Sequence, residues 1–195
     1  MKTNITALAY LVFVALQASA QSVKPEYLKP PASWQIERFA LPPAFAPAFP
    51  YKGEEELSFS PGMFNKDSAD YFSYAFVARL DNVSSFIQAD VRNYLLIYFN
   101  GLCASTARQR KLSIDTSQIA VSINKGVHGS ASYDAVLKIF GVFADGAPVT
   151  LNAEIKVLTD SKGPTTWMVF IASPQPKTTA IWPQLRDIQN AFSVN

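Results

Sequence analysis

Cysteine occurs once in this 195-residue chain, histidine once and glycine eight times. A single cysteine, Cys103, rules out an internal disulfide, so stability has to come from the core. Cys103 falls near the end of an apolar helical stretch and reads as a buried structural thiol. His128 and Cys103 together are too poor a ligand set for a zinc centre. The glycines form no Walker or dinucleotide pattern. Their densest run, 126–129, falls between two strand-like segments rather than between strand and helix. No G-x-S-x-G turn occurs, and Ser130 or Ser132 beside His128 does not replace it. His128 itself lies in a Gly/Ser-rich turn. It reads first as a loop residue, with a general base or pH-sensitive contact as the sharper alternative.

Charge is also scarce. The formal net charge is +2, too weak and scattered for a nucleic-acid binder. Arg108, Arg110 and Lys111 form the one basic cluster. They follow a helical pattern, where cations suit the C-terminal dipole. No apolar run reaches the ~20 residues that a membrane helix needs.

The first residues read as an address. Lys2 is followed by a mostly apolar run over 5–16, then small residues at Ala18 and Ala20, then polar Gln21-Ser22. That pattern predicts a signal peptide over 1–20, cleaved after Ala20, with no transmembrane anchor left behind. The expected location is periplasmic or secreted. Residues 21–33, "QSVKPEYLKPPAS", read as a mobile lead-in, and 34–195 as a single domain.

What the chain has in plenty is aromatic and apolar side chains, 13% and 49%. The stretch "WQIERFALPPAFAPAFP" interleaves rings with prolines. It predicts an extended segment that lies on the domain and presses its rings inward. Alternation predicts strands over 56–60, 71–80, 118–124, 132–143, 148–158 and 165–173. Residues 71–80 and 165–173 are apolar on both faces, whereas 148–158 alternates and turns one face to water. A helix is predicted over 85–106 from Ile87, Val91, Leu95, Tyr98 and Leu102, with Gly101 weakening its last turns. A second is predicted near the C-terminus from Ile181, Leu185, Ile188 and Phe192. The order β-β-α-β-β-β-β-α predicts an α+β fold with an antiparallel sheet of about six strands and both helices packed on it.

This order resembles the PsbP-like fold, which includes the DcrB-type bacterial envelope proteins. "FALPPAF" (39–45) is similar to that family's lead into its first strands. A long helix follows the second main strand, and "IWPQLRDIQNAFSV" (181–194) is similar to its closing helix. Here Phe192 precedes Ser193, the reverse of a pair with which that helix often ends. The chain also resembles small exported bacterial proteins without an assigned function. The resemblance implies a fold and transfers no catalytic residue or cofactor.

Three functional readings follow. A non-enzymatic envelope binding or assembly module fits the poor catalytic inventory, with Trp34, Phe45, Phe49 and Phe64 as a candidate interface to an envelope protein. A carrier of a small apolar ligand would use Tyr94, Tyr98 and Phe99 between helix and sheet. A carboxylate hydrolase acting on cell-wall or glycan material would draw on Glu54, Glu55, Asp67 and Asp70. Consecutive strand residues face opposite ways, so Glu54, Glu55 and Glu56 cannot all converge. They read as a solvated charge run at a strand start.

Overall fold

The computed structural model describes residues 27–126, 131–160 and 163–194. The expected signal peptide and His128 lie outside the described residues. Strands β1 (Gln35–Leu41), β2 (Gly53–Phe59) and β3 (Tyr74–Asp81) precede helix α1 (Gln88–Arg110). Strands β4 (Ala120–Lys125), β5 (Ser132–Phe140), β6 (Pro148–Thr159) and β7 (Thr165–Ser173) lead to helix α2 (Ile181–Ala191). The sheet order is β1-β2-β3-β7-β6-β5-β4, with every neighbouring pair antiparallel.

The α+β class and the antiparallel sheet follow the sequence pattern, but the described residues hold seven strands. The additional strand is β1. Its residues pair with β2 from Gln35↔Phe59 to Leu41↔Gly53, and the proline-rich run begins only at Pro42. No helix among the described residues is long and apolar enough to cross a membrane.

Helix α1 starts and ends later than its periodicity predicts. The Ser85–Gln88 spacing is not used as a cap. Instead the Ile87 N–H donates to Asp90 Oδ2 (2.9 Å), and Gln88 Nε2 donates to the Ile123 carbonyl (3.0 Å). At the other end Lys111 adopts φ 57°, and the Leu112 N–H returns to the Ala107 carbonyl (2.9 Å). That left-handed residue closes the helix.

The two faces of the sheet carry separate apolar layers. On one, Leu57, Phe59, Tyr74, Phe76, Met168 and Phe170 pack with Tyr94, Leu95, Tyr98 and Phe99 of α1. The Phe76 and Phe170 rings stack at 4.6 Å. On the other, Ala75, Val77, Val169 and Ile171 pack with Ile181, Trp182, Leu185 and Ile188 of α2. Strands β3 and β7 are therefore buried on both faces, as their sequences predict.

Two expectations need correction. Residues 21–33 are not mobile throughout: from Tyr27 the segment is docked. Leu28 is buried in the α2-side layer, and the N–H groups of Tyr27 and Leu28 donate to Glu56 Oε1 at 3.0 and 2.8 Å. A buried carboxylate that accepts backbone donors ties the segment to β2. The polar face of β6 is also partly covered. Glu154 lies under α2, where Arg186 grips it through Nε (3.0 Å) and Nη2 (2.7 Å). Burial works to raise the Glu154 carboxyl, but Arg186 and Lys177 together hold it below the usual range.

Candidate functional site

Strand β2 sends its three glutamates to different places. Glu54 and Glu56 face the α2 side, where Arg79 lies 2.8 Å from Glu54 and Arg38 pairs with Glu56. Glu55 faces α1. The expectation of a solvated charge run fails here, because Glu55 and Glu56 are both fully buried. The run becomes a strand covered on both sides, with each buried carboxyl given its own donors.

Glu55 owes its donors to helical spacing. Residues four apart lie on one helix face, so Tyr94 and Tyr98 both reach it. The Tyr98 hydroxyl donates to Oε1 (2.7 Å) and the Tyr94 hydroxyl to Oε2 (2.8 Å). Burial nonetheless pushes the carboxyl up to about 7, with both tyrosine donors pulling the other way. Burial and the nearby Glu55 charge raise the Tyr94, Tyr98 and Tyr74 phenols well above their ordinary range.

Glu37 is the second carboxyl on this face. It stands on β1 opposite Leu57, with Glu55 diagonal to it, a separation that long side chains span. Its Oε2 is buried without a hydrogen-bond partner. Burial and then the charge of Glu55 push it up to about 8. Glu55, stabilised by its tyrosines, ionises first, and its charge then keeps the proton on Glu37.

On the same face lies a cavity of ≈ 20 Å³ walled by Phe39, Leu57, Phe59, Tyr98, Leu102 and Phe143, with neither carboxyl in its lining. Its volume is that of a site for a water or two, but its lining is almost wholly apolar. Phe39 and Phe45, both lining residues, are only partly buried, so this wall reaches the surface. Phe45 packs edge-on against Phe39 (6.1 Å) and Tyr98 (5.0 Å). Phe64 extends the same rim through Phe59 (5.8 Å) and Phe143 (5.6 Å).

The structure thus distributes the residues singled out in the sequence. Phe45 and Phe64 are at the cavity rim, Phe49 is buried against Tyr94 at 4.6 Å, and Trp34 is buried in the α2-side layer. Tyr98 lines the cavity, Tyr94 holds Glu55, and Phe99 is fully buried behind them. Glu54, Glu55, Asp67 and Asp70 do not share a site. Glu54 and Glu55 occupy opposite faces, Asp67 is exposed, and Asp70 accepts the Gly62 N–H (2.9 Å) within its own loop. Cys103 is fully buried, and burial pushes its thiol up to about 11, so it is no nucleophile.

Sequence reasoning passes over Glu37. A signal for it exists: in "QIERFAL" Glu37 shares period two with Phe39 and Leu41, so it occupies an inward position of a strand. The prolines that follow draw the segment towards an irregular reading.

The loop over 42–52 that carries Phe45 leans on α1 at one point. A Cβ added to Gly101 would come within 2.7 Å of the Phe45 carbonyl oxygen and 2.8 Å of Ala46 Cβ. Gly101 is there for close approach, at a cost of about 1 kcal/mol in helix propensity. Gly101→Ala should therefore lose stability despite its better propensity, by about 1–3 kcal/mol from overpacking. Urea denaturation checks this, since a stabilised variant would mean the loop does not rest there.

No family model, curated protein or solved structure matches this chain.

Proposed function

We propose that this protein is an exported, non-enzymatic binding module, and that the cavity between β1–β3 and α1 receives a small, slim apolar ligand. The observation that carries the reading is an aromatic-walled cavity whose outer wall, Phe39 and Phe45, is partly exposed. Apolar cavities that stay poorly hydrated favour apolar guests. At ≈ 20 Å³ the closed cavity is too small for such a ligand, so the ligand makes its own room by displacing the Phe45 ring, which hangs on the 42–52 loop outside the regular sheet. Export and an envelope location, expected from residues 1–20, belong to the same proposal, and so does a PsbP-like relationship. The carboxylates support binding better than hydrolysis, because Glu55 is sealed beneath two tyrosines and has no open face for water attack.

Titrating the protein with 1-octanol and following heat tests this. The expected result is saturable one-to-one binding that weakens at least tenfold in Leu57→Phe, a substitution that fills the cavity. Equal affinity in both folded proteins would place the ligand elsewhere and overturn the proposal.

A further inference from the structure

We propose that Glu37 and Glu55 make β1 a pH-gated flap, closed while Glu37 keeps its proton and released once both carboxyls are charged. As a regulation of the cavity this rests on the binding reading above, but its test needs no ligand, so the two fail separately.

Three observations converge. First, the two carboxyls stand on neighbouring strands of one sheet face. Leu57 is the direct partner of Glu37 across the β1–β2 pair, and Glu55 is diagonal to it. Second, the donors at hand are spent. Tyr94 and Tyr98 bond both oxygens of Glu55, whereas Glu37 Oε2 is buried without a hydrogen-bond partner. A protonated Glu37 tolerates this; a charged one is a buried anion beside another. The titratable groups around the pair bring no cation: Tyr94, Tyr98 and Cys103 on α1, Tyr74 on β3 and Tyr51 on the 42–52 loop. Arg38 of β1 and Arg79 of β3 turn to the opposite face and pair there with Glu56 and Glu54. Third, β1 is the outermost strand, and among the described residues it pairs with β2 alone. Most of its residues are partly exposed, while those of β2 are mostly buried. An edge strand gives up one ladder on release, an inner strand two.

The release is a bowing of the strand rather than a departure. Leu28 and Trp34 before β1, and Ala46 and Phe49 after it, are buried and anchor both flanks. The Arg38–Glu56 pair on the opposite face resists the movement. Once β1 bows out, the Glu37 charge reaches water. Phe39, the next residue on this face of β1, walls the cavity, so the same movement unroofs it. Proton balance sets the pH range. In the closed strand burial and then Glu55 raise Glu37 from 4.5 to about 8; in the released strand it returns to the ordinary carboxylate range. The closed form therefore holds a proton that passes to the buffer on release. This contribution to closure is complete below about pH 4.5. It is lost about tenfold per pH unit as pH rises towards 8, and changes no further above that.

The test is hydrogen exchange on the full protein, read by mass spectrometry from about pH 5 to about pH 9 with the intrinsic exchange rates divided out. The β1 amides are expected to lose protection about tenfold per pH unit up to about pH 8 and then to level off. At each pH they should exchange at least about tenfold faster than those of β7, an inner strand. In Glu37→Gln the protection of β1 should vary by less than about threefold over the same range. Protection of β1 that does not change with pH overturns the proposal. So do β1 amides that exchange in step with those of β7, because the strand then opens only with the whole fold. A folded Glu37→Gln that keeps the parent's slope overturns it too, since the charge that matters is then not on Glu37. The comparison of β1 with β7 needs only the parent protein, so it decides the matter even where Glu37→Gln does not fold. The octanol titration, which tests the cavity itself, is independent of all these outcomes.

Discussion

Glu55→Gln should raise the stability of this protein at pH 8 by about 3 kcal/mol and leave it unchanged at pH 4. In the folded chain the Glu55 carboxyl is raised from an ordinary 4.5 to about 7, and Glu37 from 4.5 to about 8. The folded state therefore binds more protons than the unfolded one between those values. Stability is complete below about pH 4.5 and is lost as pH rises towards 8. Every tenfold gain in proton affinity corresponds to about 1.4 kcal/mol, which gives the figure for Glu55. A glutamine escapes the loss: its oxygen accepts from one tyrosine and its amide donates to the other. For a chain of this length the gain corresponds to roughly 6–12 °C in Tm. Urea denaturation of parent and variant across this pH range checks it. Curves that stay parallel at every pH would show that Glu55 does not change its charge in the fold.

Trp182→Ala should be the most damaging single change in the α2 layer. The ring is fully buried, its Nε1 donates to the Gln175 carbonyl (3.0 Å), and Lys177 and Arg186 lie over it at 5.4 and 5.5 Å. Truncating a buried tryptophan costs about 3–5 kcal/mol. The two cations it orders are those that neutralise Glu154, so the ion pairs under α2 loosen as well. The variant should unfold in one transition at lower urea, because β3 and β7 carry both layers and couple them. It should also keep octanol affinity within about twofold at low temperature, since the pocket lies on the other face. A biphasic curve would show instead that α2 and its layer unfold separately.

How far the sequence foretells this arrangement depends on the element. The meander from β5 to β7 and both helices are legible because their apolar residues recur cleanly at periods of two and 3.6. Strands β3 and β7 are legible as central strands because both of their faces are largely apolar. β1 is not legible as a strand. "QIERFAL" has only three apolar side chains on its two faces beyond alanine, and it becomes a strand because β2 offers a free edge. The burial of Glu55 and Glu56 is equally out of reach. A glutamate looks solvated until the tertiary structure supplies its donors, and these come from Tyr94 and Tyr98 of α1 for one, and from Tyr27, Leu28 and Arg38 for the other. The cavity depends on contacts among β1, β2, the 42–52 loop and α1, which no single segment encodes. The tyrosines at i and i+4 are visible in the sequence, but the carboxyl they serve is not.

Under the proposed function a ligand enters between β1–β3 and α1. Methyl-resolved NMR of the protein titrated with 1-octanol tests it most directly. Saturable shifts are expected at Leu57, Met63 and Leu102, which line the cavity, and none at Leu185 or Ile188 in the layer across the sheet. Shifts confined to that opposite layer, or no saturable shift at any of the three cavity methyls, would contradict it.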